Sequence, residues 1–456
     1  MRPTARLTGR PAAGRAGGGR AAARPSPDRW AAAVAFALVA AAVLAGAALG
    51  WAGRPVHAPA APLFGHLLPH AGPGTPFAVI VAIAVVHRGA LLAERLPWRR
   101  LLAGAWAASV AWTFALALVD GWHRGVAGRL TTPFEYLSAV PAVTGVRATL
   151  RGFTGHILLG APDNWPTHVA GHPPGALLVF VALDRLGLRG GGWAGTVCVL
   201  AGCLATVAVA VTLRALGDER AARAALPFLV LFPGAVWVGV SADGLFTAVA
   251  ASSLALLAVG LTGPRWWCAA LGGAGLAGCA YVSYGLVLLV LPAVAVVVAA
   301  RARHPAMLGW AAAGAVAVAG VVTGLGFAWW DGYRLVKVRY YQGLASSRPY
   351  AYWVWANLAA LAVSAGPAAA PILRRAVAAV RGVRTPPVLL CLGAAAAVVA
   401  ADLSGLSKAE VERIWLPFAV WLPAAAALLP GRGRRGWLCL QAATALLVNH
   451  LVLTAW

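Results

Sequence analysis

The sequence predicts an all-α integral membrane protein, a polytopic helical bundle of about 13 transmembrane helices with a large outer loop carrying interfacial or re-entrant helices. Three observations lead there. Hydrophobic residues make up 61% of the 456 positions and charged ones only 11%, whereas a soluble domain carries roughly a quarter charged residues. Apolar runs of about 17 to 22 residues recur, each long enough to cross a hydrocarbon core of roughly 30 Å. Basic clusters also fall in alternate connections, as the positive-inside bias requires.

Met1 to Arg29 is a Gly-, Ala- and Pro-rich segment with seven arginines and reads as a disordered basic cytoplasmic arm. Residues 30–456 then form one transmembrane domain. The run Trp30 to Trp51 is too long and uniformly apolar for a signal-peptide core, so it is a retained first span. Further spans are expected at about 76–93, 101–119, 193–213, 225–241, 244–262, 267–283, 285–300, 308–328, 353–372, 386–402, 415–430 and 437–454. With the N-terminus in the cytoplasm, the inner connections hold 24 of the 37 Lys and Arg, while the outer side keeps nine of the 13 acids. This distribution explains the net charge of +24 without nucleic acid, and predicts a multi-pass plasma-membrane protein.

One apolar segment must not cross. If "PPGALLVFVALDRLGL" (173–188) spanned the membrane, every later basic cluster would face outward. It is short, carries Asp184 and Arg185, and reads as a helix that begins and ends on the outer side.

Membrane-embedded polar groups are costly, so the places where they collect indicate function. They collect in three outer segments: 120–192, 331–353 and 402–415. The first contains Glu135 after "TTPF", Asp163 in "GAPDNW", and the pair His168 and His172 before Pro173 and Pro174. A carboxylate at a membrane boundary suits a general base; it equally suits a helix start favoured by the macrodipole. The histidines suit either a divalent metal, which needs three or four convergent ligands, or hydrogen bonding in a polar cavity. The double proline sets up the first turn of the next helix.

The other two segments bring Arg348, Lys408 and Arg413 among several tyrosines. Cations of this kind hold a phosphate near lipid headgroups, and aromatic and basic residues also anchor at interfaces. Asp243 and Ser241, in "VSADGLF", read as caps of the following helix. No GxxxxGK[ST] phosphate loop is present, which argues against an ATP-driven pump, and the six cysteines form no CxxC pair.

"FEYLSAV" followed by "GHPPGALLVF" resembles the polytopic glycosyltransferases of the GT-C fold. Within them it is similar to the polyprenyl-phosphate sugar-dependent mannosyltransferase and aminoarabinose transferase branch (glycosyltransferase family 39-like), in an actinobacterial variant with "GHPPG". There an acidic pair precedes a Tyr, and a "[HK]PPL" motif opens a later helix. "LRALGDERAARAALPFLVLFPGAVWVGVSADGLF" is similar to that family's inner loop, span and outer turn, so the likeness covers roughly residues 112–262. Here Phe134 stands where the pair's first acid would be, Gly175 replaces Leu, and extra spans precede the loop.

The resemblance implies a membrane glycosyltransferase acting on the outer face. It would move a mannose- or arabinose-like sugar from a polyprenyl-phosphate donor to a hydroxyl of a lipid, glycan or protein. Glu135 and Asp163 would be its catalytic acids, and Tyr136, His168, His172, Arg348, Lys408 and Arg413 its substrate-binding residues, with no cofactor needed. The competing expectation is a transporter or flippase for a lipid-linked or anionic envelope precursor, which calls for ionisable residues near mid-membrane.

Overall fold

The computed structural model describes residues 26–301 and 304–455. The expected basic arm lies outside them except for its last four residues, and so does Arg303 of the cluster "RARH".

The chain is helical almost throughout. α1 (Pro27–Trp51) is followed by α2 (Thr75–Arg95) and α3 (Trp98–Ala117). The long loop after α3 carries short 3₁₀ and π turns, α4 (Val146–Gly152), α5 (Thr167–Gly171) and α6 (Pro174–Arg185). The middle of the chain supplies α7 (Gly190–Gly202), α8 (Leu204–Ala215), α9 (Glu219–Val230), α10 (Ala235–Val238), α11 (Ala242–Thr262), α12 (Trp266–Val282), α13 (Val290–Ala299) and α14 (Ala306–Gly324). The last part holds α15 (Trp329–Gln342), α16 (Tyr350–Ala365), α17 (Ala369–Ala379), α18 (Pro386–Leu403), α19 (Val411–Ile414), α20 (Leu416–Ala419) and α21 (Arg434–Leu451). A two-stranded antiparallel ladder joins β1 (Gly65–Leu67) to β2 (Val452–Thr454), with Gly65 opposite Thr454.

Seven helices among the described residues are long and apolar enough to cross a membrane, with α7 and α8 counted as one. The count becomes eight if α16 and α17, bent by 104°, form one broken span. The sequence expectation was higher because composition does not show where the backbone breaks. Residues 225–241 divide into α9, with Pro227 inside it, and the four-residue α10. Residues 285–300 open as a 3₁₀ turn, and 415–430 divide into α20 and another 3₁₀ turn. Proline and glycine interrupt the i to i−4 bonding that a single long helix needs.

Helix starts follow local chemistry. Asp218 accepts from the Ala221 amide at 2.8 Å to cap α9, and Ser241 Oγ accepts from the Gly244 amide at 3.3 Å to cap α11. α6 opens on Pro174 in its first turn and, at 12 residues, is about 18 Å long, too short to cross. Small residues draw α11, α12 and α14 together. A Cβ at Gly273 would strike the Ala311 carbonyl, and one at Gly314 the Ala270 carbonyl.

Gly175 is used in the same way. A Cβ there would run into the Tyr281 carbonyl oxygen, so α6 lies directly on the α12 backbone. A leucine at this position does not fit this packing. Gly175→Leu is expected to destabilise the fold by about 1–3 kcal/mol, read as a lower unfolding temperature in nanodiscs.

Polar contacts divide the molecule into two ends. At one, Asp28 holds Arg374 at 2.6 Å and Arg375 at 2.7 Å. Arg223 there donates to the Ala93 carbonyl at 2.6 Å, Arg214 stacks on Trp98 at 4.5 Å, and Arg435 meets His87 at 2.7 Å. At the other, Asp120 binds His70 at 2.9 Å and Arg129 at 2.7 Å, and Arg129 donates to the Thr454 carbonyl at 2.8 Å. The Phe64 amide donates to Glu412 at 2.8 Å, and the Leu159 amide to Gln342 at 2.9 Å. Among the described residues, every ion pair joins two groups of the same end. The connections that the charge pattern assigns to one side therefore meet one another in space.

Candidate functional site

Glu135 follows a tight turn in which its amide donates to the Thr132 carbonyl at 3.0 Å. It occupies the N-cap position of the 3₁₀ turn Tyr136–Ala142, yet its side chain makes no capping bond. The carboxylate points instead at His168, with Oε1 2.7 Å from Nδ1. The His168 amide donates to the Phe134 carbonyl at 3.0 Å, which pins α5 to the segment bearing Glu135. Both residues are buried, at 7% and 8% exposure.

α5 ends at Gly171, and His172 is extended beside the prolines rather than helical. His172 Nδ1 donates to the His168 carbonyl at 2.8 Å. Burial pushes its pKa down to about 4, so the ring is neutral near pH 7 and its Nε2 accepts hydrogen bonds. Tyr136 is central to the aromatic contacts. Its ring stacks on Phe180 at 5.1 Å and meets His172 edge-on at 5.8 Å. Burial, then the nearby carboxylates of Asp243 and Glu135, push the Tyr136 hydroxyl well above its ordinary pKa, so it stays protonated.

A second pair lies beside these groups. Arg413 Nη1 is 2.5 Å from Asp243 Oδ2, and the two residues are 6% and 3% exposed. Arg413 also reaches Glu410 at 3.3 Å, and Glu410 in turn holds Arg348 at 3.0 Å. Burial acts against the Arg413 charge, but Asp243, Glu410 and Glu135 outweigh it and hold the guanidinium above its usual pKa.

The backbone carrying Glu410 is unusual. Ala409 and Glu410 have φ of 68° and 62°, the left-handed region that costs non-glycine residues about 1 kcal/mol or more each. Asn357 braces it, donating to the Ser407 carbonyl at 2.7 Å and accepting from the Ala409 amide at 3.2 Å. Arg348 adds a bond to the Lys408 carbonyl at 2.8 Å, and Lys408 Nζ donates to the Ala345 carbonyl at 3.1 Å.

Of the residues singled out in the sequence, the fold brings together Glu135, Tyr136, His168, His172 and Arg413. Arg348 and Lys408 belong to two adjoining connections, before α16 and before α19, where carboxylate and carbonyl oxygens engage them. Asp163 stands apart: it is exposed, with φ of 49°, and no ion pair among the described residues links it to the cluster. His156 is turned to the Pro162 carbonyl at 3.0 Å. Among the described residues, no group of three or more His, Cys, Asp or Glu side chains is placed to hold a metal.

Sequence reasoning did not give roles to Asp243, Glu410 and Glu412. A lone acid after a serine reads as part of a helix cap, and Ser241 does cap α11, which leaves Asp243 for Arg413.

Glu412 is fully buried and accepts from the Phe64 amide, so it fastens the loop after α1 to α19. Burial pushes its carboxyl up from 4.5 to about 7. Between those values the folded protein holds a proton that the unfolded chain has lost. Stability therefore falls as pH rises through this window, by up to about 3 kcal/mol. Glu412→Gln is expected to remove that fall, seen as an unfolding temperature that changes little between about pH 5 and 8.

No protein-family model matches the chain, and no curated protein matches it significantly. The fold itself defines the class: an all-helical protein with several helices built to cross a membrane.

Proposed function

We propose that the chain is a membrane glycosyltransferase that moves a sugar from a polyprenyl-phosphate carrier to a hydroxyl acceptor at the outer face of the plasma membrane. One observation carries the reading: the buried contact between Glu135 and His168, beside Tyr136 and the Asp243–Arg413 pair. Four separate segments converge there, and the result is an acid–base group next to a fixed cation. Transfer of this kind needs both. A base removes the acceptor proton, and positive charge stabilises the departing lipid phosphate.

The outer loop contributes the cation side. Arg348 and Arg413 are paired with Glu410 and Asp243, and Lys408 brings a third positive group toward which a phosphate would be drawn. Tyr136 and His172 supply a hydrogen-bonding wall that suits a sugar.

The topology we propose has thirteen crossings, an inner N-terminus and the site outside. Its support is the division of polar contacts into two ends, since each step from one end to the other passes through one of the expected spans. The β1–β2 ladder agrees: it puts the loop after α1 on the same side as residues 452–454, which requires an even number of crossings between them. A carrier would need ionisable groups between the ends, whereas the buried ion pairs gather at them.

The test is transfer from radiolabelled polyprenyl-phosphate mannose or arabinose to a membrane-extract acceptor, with the full chain in membranes. Label is expected in the acceptor fraction above vector-only membranes. Equal label in both, with folded protein present, overturns the reading.

A further inference from the structure

The histidine of the dyad has work that a lone carboxylate base would leave undone. Glu135 Oε1 stands 2.7 Å from His168 Nδ1, and a carboxylate that accepts from Nδ1–H leaves the ring's lone pair on Nε2. The amide bond from His168 to Phe134 keeps ring and carboxylate in register, because separating them breaks a backbone contact between neighbouring turns. Both side chains are about nine-tenths buried, so the pair is held largely out of water. His172 does not offer the same chemistry. Its Nδ1 faces a carbonyl, and burial disfavours its charged form.

We propose that His168 Nε2, not Glu135, takes the proton from the acceptor hydroxyl, and that Glu135 is a positioning residue that fixes the tautomer and stabilises the imidazolium. The inference rests on the glycosyl-transfer reading. In the step, the acceptor O–H proton passes to Nε2 and the acceptor oxygen forms a bond to the anomeric carbon. The bond from that carbon to the carrier phosphate breaks, and its electron pair leaves with polyprenyl phosphate. The imidazolium then returns its proton to water. Atoms and charge balance without a further reactant.

The experiment uses the full chain in nanodiscs. Nitrogen-15 histidine spectra, assigned with His168→Gln, report the tautomer without any activity, and an Nδ1–H form of His168 is expected. With labelled polyprenyl-phosphate mannose or arabinose, His168→Ala is expected to lose transfer at least about 100-fold and to recover about tenfold or more with added imidazole. Glu135→Gln is expected to keep a residual rate whose acidic limb moves to lower pH, which loss of packing alone would not produce. An Nε2–H tautomer overturns the proposal. So does rescue of Glu135→Ala by formate while His168→Ala ignores imidazole. An inactive wild type instead overturns the transfer reading, and is told apart from those outcomes by the wild-type rate itself.

Discussion

Glu135→Gln is expected to lower the proposed glycosyl transfer roughly 100- to 10,000-fold, the upper figure being that for an amide in place of the carboxylate that orients a catalytic imidazole. Glutamine keeps the size of the side chain and an oxygen that accepts from His168 Nδ1, so folding should change little. What it removes is the negative charge 2.7 Å from the ring. The imidazolium formed as the acceptor loses its proton then has no counter-charge in a site almost closed to water. Measured at matched expression, the loss should fall on kcat. Transfer within a few-fold of wild type would remove Glu135 from the mechanism.

Asp243→Ala is expected to have the largest effect on stability, a loss of about 3–5 kcal/mol, because it strands a buried guanidinium. Glu410 remains 3.3 Å from Arg413, but its side chain is 20% exposed and it is shared with Arg348. Asp243→Ala combined with Arg413→Met should recover much of the loss, since replacing both partners of a buried pair with apolar groups is often neutral. Unfolding temperatures of the two single variants and the double variant in nanodiscs give the coupling. If the losses simply add, the pair is not what holds α11 to α19.

The loop carrying Glu135 and His168 was legible because it breaks every rule of its surroundings. Polar residues and paired prolines in a chain of Ala, Val and Leu need a reason, and contact geometry supplies it. The grouping of the polar contacts follows the basic clusters for a similar reason, since arginine placement in membrane proteins is biased between the two sides. Asp243 was not legible. Its meaning depends on a partner far along the chain, and nothing local distinguishes it from a helix-start acid. The ladder between Gly65–Leu67 and Val452–Thr454 was hidden too, because three-residue strands carry no usable alternation. Where α9 gives way to α10, or α16 to α17, depends on prolines and on Gly366 at φ of 84°, which hydropathy averages away.

The distance in sequence between Asp243 and Arg413 also sets a clock. They are 170 residues apart, so at about 5–20 residues per second the carboxylate is made roughly ten to thirty seconds before its cation emerges. During that time the start of α11 must be held by what is already present, the Ser241 hydroxyl bridging the Gly244 amide and the Trp237 carbonyl. The ribosome therefore delivers this corner in two instalments: a self-contained cap first, and the cation that pairs with Asp243 only near the close of synthesis.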